Sequence, residues 1–318
     1  MRWAECARAL ERLTIYTSFS FLLDSFDLAL REKYRDEHFH IVTFRDHPAR
    51  LLEKITQDVK AGIPTADVII APHWMVLDLQ VRGLLGAYDS PEFDAYGKEF
   101  YDKDGWAAMA LSPVGIAYNT NLVNGTSSPK TLEEAVNGTW KGKLAVHSII
   151  QNIEGRMGLA YLVTLRRIMG AKRWEKFIDK LSRLEPKAYD CMPEMALSVG
   201  KGEKEVGFPA TLACISYYLD VQNRPVGFWI PEDIPPLVTF SPTIGLLANG
   251  ENPDGAKRAF DYALSEDWQQ RIESFGGKTS PRPGVAESKI PANAVFFPTK
   301  QDVINHPKYL KILQKRFN

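Results

Sequence analysis

The stretch PKTLEEAVNGTWKGKLAV, Pro129–Val146, lies in the middle of the chain. It passes from a Ser-Pro loop into a charged, half-apolar part, then into Trp-Lys-Gly-Lys, and finally into an apolar run. That run continues as KLAVHS, residues 143–148, and its composition predicts a β-strand. Because a helix is predicted next, over residues 155–169, the stretch leads into an α/β arrangement.

Strands and helices also alternate before this stretch. The helix predicted at residues 21–34 carries apolar residues at helical spacing, and ADVIIA is a continuous apolar run, typical of a strand buried on both faces. In order, the predicted elements are a strand at 13–18, the helix at 21–34, a strand ending at Phe44, a helix at 49–61 and a strand at 66–71. This order predicts βαβ units and a parallel sheet.

The alternation resumes after the opening stretch and predicts a second α/β lobe. The further elements are a helix at 173–184, a strand at 205–210, a helical segment through Tyr218 and a strand at 225–231. The tail predicts one more helix over residues 256–275, interrupted near 265–267, with Asp254 as its N-cap.

Two similar stretches stand where the chain would pass between the lobes: SPVGIAYN at 112–119 and SPTIGLLAN at 241–249. They indicate a chain that leaves lobe one, builds lobe two and returns, with the two crossings forming a hinge. The alternative is two unrelated loops that share Ser-Pro. The expected boundaries are 1–112 plus 242–280 for lobe one, and 113–241 plus 281–318 for lobe two.

Composition narrows the possible functions. The chain has 318 residues, enough for two domains, with 39 basic and 39 acidic residues. A net charge near zero argues against binding to nucleic acid or to a membrane surface.

The N-terminus lacks the apolar core of a signal peptide, so we expect either a cytosolic protein or one whose leader was removed. The three cysteines fit no metal or redox motif.

Six stretches, in this order, resemble motifs of the type II periplasmic solute-binding proteins of ABC importers. They are LTIYTS, ADVIIAP, SPVGIAYNTNLV, PKTLEEAVNGTWKGKLAV, GKGEKEVGF and SPTIGLLANGENPDGAKRAFDYALSEDWQQRIESFGGKTSPRPGV. The resemblance covers residues 13–285 and is closest to the ferric-iron-type branch of extracellular solute-binding family 1, whose members also bind phosphorylated or other small organic ligands.

The resemblance implies an α/β fold of the periplasmic-binding-protein type II kind, in which two lobes with mixed, mostly parallel sheets are joined by two hinge crossovers. It implies a substrate-binding component of an ABC transporter, which closes over a small ligand in an interlobe cleft and then meets the transmembrane permease subunits. It further implies a monomer, no cofactor and no enzymatic activity. The location would be periplasmic or at the cell surface if a leader was removed, and cytoplasmic otherwise.

Within the opening stretch, the resemblance favours structural roles. We expect Trp140 to anchor the linker helix on lobe two and Gly142 to relieve backbone crowding before the strand. Lys141 and Lys143 are expected to be solvated flanks.

Ligand contacts are expected outside the carboxyl ends of the strands, where helices begin. Serines at these positions are hydrogen-bond donors, although serine is also a common N-cap. The candidate ligand-binding residues are Ser18, Phe19, Ser20, His73, Trp74, Ser112, His147, Ser148, Asn152, Arg156, Thr211 and Ser241.

Several of these candidates have a structural alternative. His73 is a candidate ligand donor or metal ligand, or a capping residue; His147 is a candidate donor, or a histidine that bonds to the backbone. Trp74 either stacks on a ligand or packs between lobe edges. Arg156 either clamps a carboxylate or phosphate or lies exposed on its helix.

Ferric-ion-binding proteins of the resembling branch use an adjacent tyrosine pair as phenolate ligands. Here the matching positions, about ten after Gly202, hold Leu212 and Ala213, and Tyr217 and Tyr218 follow one turn later. The family's other two iron ligands, a histidine and a glutamate, are also missing: Ser20 stands at the histidine position and Pro72 near the glutamate position. We therefore name no metal-ligating residues and expect no iron bound in this manner, while ferric iron held in another way stays open as a ligand.

A small anion or polar organic molecule suits these candidates better: a phosphate ester, a phosphonate or a carboxylate. Two other functions stay open at this point. An intracellular ligand sensor would need no leader, and a transferase on the same scaffold would need a nucleophile with a positioned base. Because the sequence has no Gly-x-Ser-x-Gly, no Walker loop and no His-Glu-x-x-His, the transferase is the weaker alternative.

Overall fold

The computed structural model describes residues 11–19, 21–35, 39–124, 128–147, 156–285 and 290–317. The chain divides into two compact units. Unit 1 comprises Met1–Ala110, Ser241–Ile272 and Ser280–Glu287, and unit 2 comprises Leu111–Phe240, Glu273–Thr279 and Ser288–Asn318. In the described part of the tail, residues 273–279 group with unit 2 and residues 280–285 with unit 1.

Unit 1 is built on one mixed sheet. With elements numbered along the whole chain, it contains β1 (Glu11–Thr17), α1 (Phe21–Lys33), β2 (Phe39–Arg45), α2 (Pro48–Lys60), β3 (Val68–Ala71), α3 (His73–Val81), β4 (Tyr101–Asp102), β5 (Trp106–Ala108), β12 (Thr243–Leu246), α9 (Pro253–Leu264) and α10 (Glu266–Ile272). The strand order is β2-β1-β3-β12-β5-β4. The pairings of β1 with β2 and β3 are parallel, whereas β12 runs antiparallel to β3.

Unit 2 holds a second mixed sheet. Its elements are β6 (Leu111–Asn119), α4 (Leu132–Ala135), β7 (Leu144–His147), α5 (Arg156–Met169), α6 (Ala171–Arg183), β8 (Lys187–Tyr189), α7 (Met192–Gly200), β9 (Val206–Thr211), α8 (Leu212–Ser216), β10 (Val226–Trp229), β11 (Leu237–Phe240), β13 (Val295–Phe297), α11 (Lys300–Ile304) and α12 (His306–Phe317). The order is β13-β11-β6-β9-β7-β8, with β10 also paired to β6. The predicted α/β class is thereby confirmed.

The apolar residues of the predicted strands β1 and β3 are buried in the structure. Every residue of β3 is buried, as the continuous apolar run of ADVIIA predicts. In β1, Leu13 and Ile15 are fully buried on the core side of the sheet. Such continuous apolar runs are typical of strands that are covered on both faces of the sheet. Among the described residues, we find no helix that is long and apolar enough to cross a membrane.

The opening stretch is structural, although one detail differs from the prediction. Trp140 is 5% exposed, and its Nε1 donates to the Glu134 carbonyl at the end of α4 at 2.8 Å, so it anchors that helix. Gly142 has no atom within 4 Å of the position that a Cβ would take, and its φ is +74°. Its role is therefore a left-handed turn, and the expected relief of crowding was wrong. Lys141 and Lys143 are exposed and pair with glutamates.

The helix of the tail starts earlier than expected. Its N-cap is Asn252, whose side chain accepts a hydrogen bond from the Gly255 amide at 2.8 Å. Pro253 occupies the first helical turn, where its missing N–H costs nothing. The prediction of Asp254 as the N-cap was wrong, because Asp254 already lies inside the first turn.

Candidate binding residues at the strand ends

In unit 1, the carboxyl ends of β1 and β3 lie side by side, because Thr17 is in register with Ile70. The Ser18 amide donates to the Ile70 carbonyl at 3.4 Å, and the Phe19 amide donates to Thr17 Oγ1 at 3.1 Å. Ser18 Oγ is buried and has no hydrogen-bond partner among the described residues. A buried hydroxyl without a partner costs free energy, so Ser18 is the clearest candidate donor at this edge. Ser20 lies outside the described residues.

His73 and Trp74 begin α3 and are both interior residues. His73 is 3% exposed; its Nδ1 lies 3.3 Å from Thr243 Oγ1, and its ring packs edge to face on Trp106 at 4.7 Å. Burial lowers the pKa of His73 to about 3, so the imidazole is neutral at physiological pH. Trp74 is 2% exposed, which fits the packing interpretation rather than stacking on a ligand.

In unit 2, the ends of β7 and β9 are also adjacent, because these strands pair in parallel. His147, the last residue of β7, is 5% exposed, and its Nδ1 accepts a hydrogen bond from the Gly158 amide in the first turn of α5 at 3.2 Å. This contact fits a histidine that bonds to the backbone. Ser148 and Asn152 lie outside the described residues, as does the side chain of Arg156, the first residue of α5.

Thr211 ends β9 and caps α8. Its Oγ1 accepts from the Cys214 amide at 3.3 Å and contacts Met192 Sδ at 3.3 Å. The thioether is a weak acceptor, so this hydroxyl retains capacity for a stronger partner. Thr211 is 7% exposed.

The two serines before the predicted crossings serve the backbone. Ser112 is fully buried; its Oγ donates to the Gly277 carbonyl at 3.0 Å and accepts from the Ala213 amide at 3.1 Å. The Ser241 amide donates to the Ala110 carbonyl at 2.8 Å, and the Ser241–Pro242 peptide bond is cis. Because the Ser112 hydroxyl donates one of these hydrogen bonds and accepts the other, it acts as an internal clamp that holds parts of unit 2 together.

The tyrosine pair lies on a π-helix, Tyr217–Val221, that continues α8. The two rings contact each other edge to face at 5.4 Å, and burial raises the pKa of Tyr218 to about 12. A raised pKa opposes the phenolate form that ferric iron needs. No cluster of three or more His, Cys, Asp or Glu side chains suited to a metal ion occurs in the part of the chain that the structure describes.

The described cysteines lack the properties of catalytic nucleophiles. Burial raises the pKa of Cys214 to about 12 and also raises the pKa of Cys191. Since the thiolate is the reactive form, the raised pKa values disfavour both thiols as nucleophiles at neutral pH.

One charged residue near these strand ends was not among the candidates predicted from the sequence. Lys278 lies in the Glu273–Thr279 segment of unit 2 and is partly buried, and burial lowers its pKa to about 8. The sequence offers only a weak signal, a lysine after the glycine pair at 276–277. The local pattern does not show that this segment packs against the end of β9.

Solved structures of transport proteins share the fold. An ABC-transporter substrate-binding protein from Agrobacterium tumefaciens superimposes with a TM-score of 0.83 at 14% identity, over 98% of this chain and 96% of that one. AfuA from Actinobacillus pleuropneumoniae, solved with fructose-6-phosphate, gives 0.80 at 19%, over 96% and 97%. Iron-bound HitA from Pseudomonas aeruginosa gives 0.79 at 16%, over 96% and 99%.

A family model assigns the chain more specifically than the shared fold does. A comparison with curated proteins found no match. Residues 64–307, more than half of the chain, match the family model described as bacterial extracellular solute-binding protein. This match agrees with the order of the sequence motifs and with the shared fold. The chain belongs to the bacterial extracellular solute-binding protein family.

Proposed function

We propose that this chain captures a small anionic or polar organic molecule and delivers it to the permease of an ABC transporter. The observation that carries the proposal is the buried hydroxyl of Ser18, which has no partner among the described residues and stands at the carboxyl end of β1. In open α/β sheets this edge is where ligands bind. A bound solute would accept the hydrogen bond that Ser18 does not make with any described residue.

The side chains at these edges favour an organic anion over ferric iron. Ferric iron needs several anionic oxygen ligands, whereas the described candidates include hydroxyls and the neutral imidazole of His73 but no carboxylate. Burial also holds the phenol of Tyr218 in its protonated form. Among proteins of the same fold, AfuA was solved with fructose-6-phosphate, and this ligand class supports the proposal.

Family membership supports a location outside the cytoplasm, either periplasmic or at the cell surface, and a permease as the partner. The proposal is binding without catalysis, and the raised pKa values of the two described thiols, Cys191 and Cys214, are consistent with it. Expression of the full gene followed by cell fractionation tests the location. Recovery of the protein in the periplasmic or surface fraction supports transport, and recovery only in the cytosol supports the intracellular sensor.

A thermal-shift screen tests the binding function. The screen uses fructose-6-phosphate, methylphosphonate, citrate, inorganic phosphate, fructose and ferric ion. A ligand at a hundredfold excess over its Kd stabilises the folded state by about 2.7 kcal/mol, which is measurable as a rise in Tm. We expect at least one of the four anions to raise Tm, and Ser18→Ala to reduce that rise.

The matched control is Thr43→Ala, which removes an exposed hydroxyl from β2 of the same unit. It should leave the ligand-dependent rise in Tm unchanged. A response to ferric ion alone would contradict the proposed ligand class, and no response to any compound would contradict the binding function as proposed.

A further inference from the structure

The tail segment Glu273–Thr279 is fixed to the sheet of unit 2. The backbones of Leu111 and Thr279 exchange two hydrogen bonds, at 2.8 and 3.0 Å, where β6 begins. Two residues earlier, the Gly277 carbonyl accepts the hydrogen bond from Ser112 Oγ. These three bonds hold the segment at a defined place beside the strands.

Gly277 brings this segment against the carboxyl end of β9. Its φ is +71°, and a Cβ there would lie 2.5 Å from the Leu212 carbonyl carbon and 2.6 Å from the Ala213 nitrogen. Real Cβ atoms do not approach backbone atoms this closely, so only glycine permits the contact. The residue that follows, Lys278, is thereby placed next to the strand end where Thr211 stands.

Lys278 carries a charge that nothing within the described residues balances. Its ammonium makes neither an ion pair nor a hydrogen bond there, although the side chain is partly buried. The titratable group that acts on it is the Cys214 thiol of α8, which burial keeps neutral. Asp220, the carboxylate on the helix packed against this segment, faces Gly276 and is exposed to solvent.

A partly buried cation without a counter-charge is costly unless something supplies the charge. A phosphate, phosphonate or carboxylate group would do so by a charge-assisted hydrogen bond. Burial of the ammonium lowers the pKa of Lys278 to about 8, which is consistent with this cost.

We infer that Lys278 binds the anionic group of the solute, at the carboxyl end of β9. This inference rests on the proposed function and narrows it: the solute carries at least one negative charge, and neutral sugars are excluded.

Calorimetric titration of three forms of the full chain tests the inference: wild type, Lys278→Met and Lys278→Arg. The probes are fructose-6-phosphate, methylphosphonate, citrate and inorganic phosphate, with fructose as the uncharged analogue. Loss of a hydrogen bond to a charged group corresponds to about a 10- to 100-fold loss of affinity. We expect that loss in Lys278→Met for the anions that wild type binds, and partial retention in Lys278→Arg.

Lys172→Met is the matched control, since it removes an exposed lysine of the same unit at α6. It should leave the affinity unchanged. A second readout is the pH dependence: wild-type affinity should fall as pH rises above about 8, where the free lysine loses its proton, and Lys278→Met should lack this fall.

Two outcomes separate this inference from the proposed function. Equal affinity of wild type and Lys278→Met for an anion would overturn the role of Lys278 and leave the binding function intact. Binding of fructose alone would overturn the inference and its ligand class. If wild type bound none of the probes, the inference and the proposed function would both be rejected.

Discussion

Ser112 and Gly277 are 165 positions apart in the chain, yet Ser112 Oγ donates to the Gly277 carbonyl at 3.0 Å and ties the tail segment to β6. The same oxygen accepts from the Ala213 amide at 3.1 Å, so one buried hydroxyl joins three parts of unit 2. The position of Lys278, immediately after Gly277, depends on this connection. The substitutions Ser112→Ala and Gly277→Ala test this connection between the tail segment and the rest of unit 2.

Ser112→Ala should destabilise the protein, because it leaves the Gly277 carbonyl and the Ala213 amide without their partner. Loss of a partner to buried polar groups costs about 1–3 kcal/mol. Urea unfolding measures the change in the free energy of unfolding. Thr139→Ala, an exposed threonine of the same unit, serves as the control, and an equal effect of the two substitutions would contradict the clamp role.

Gly277→Ala should be more destabilising than Gly142→Ala. Both glycines belong to unit 2 and have nearly the same φ, +71° and +74°, so the backbone strain of alanine, about 1 kcal/mol, is common to both. Only Gly277 adds a clash with the backbone of Leu212 and Ala213. The two variants are compared by thermal unfolding, and a smaller loss at Gly277 would show that the segment does not pack as described.

Lys278→Met should stabilise the ligand-free protein at pH 7. The pKa of Lys278 is lowered to about 8 from 10.5, so the unfolded state binds the proton more tightly and stability rises with pH across this window. Removal of the ammonium should raise the free energy of unfolding at pH 7 by on the order of 1–3 kcal/mol. The gain should disappear above about pH 10.5, where the lysine is neutral in both states.

Unfolding of the two forms in urea at pH 7 and at pH 10.5 measures this difference. A residue retained only for the fold would behave in the opposite way, with Lys278→Met less stable at pH 7. A gain in stability together with a loss of anion binding would fit a residue that serves ligand recognition at the expense of stability.

His73 should make the protein sensitive to mild acid. Its pKa is lowered to about 3 in the folded state from 6.5, so the unfolded state takes up a proton first as pH falls. The stability that it contributes is complete above about pH 6.5 and is lost progressively toward pH 3. His40→Gln, which removes an exposed histidine of the same unit, is the control substitution.

Urea unfolding between pH 7 and pH 4 measures this slope in wild type and in His73→Phe. We expect a shallower slope in His73→Phe, whatever its stability at pH 7. An NMR titration in which the His73 ring changes its protonation near pH 6.5 in the folded protein would contradict the account.

The sequence predicted the elements whose periodicity is clear. ADVIIA reads as a buried strand because all residues of β3 contact the core, and the alternation of strands and helices predicted both α/β units. Helix α3 was missed for a physical reason. All of its residues except Val81 are buried, so it lacks the polar face that gives a helical period.

The site was harder to predict, because its geometry depends on contacts between distant parts of the chain. Ser18 was chosen from its place after a strand, and the lack of a partner for its hydroxyl in the described part of the chain is compatible with that choice. Ser112 was chosen from a similar pattern, but its partner is a carbonyl 165 residues away. Lys278 was missed because its burial follows from the pairing of Leu111 with Thr279, which no local pattern reveals.

The most direct test of the central claim is a crystal structure with the anion that raises Tm most. The account predicts one bound molecule whose anionic oxygen lies about 2.7–3.2 Å from Lys278 Nζ, the range of a direct hydrogen bond. A solute bound away from Lys278, or a ferric ion held by Tyr217, would contradict it.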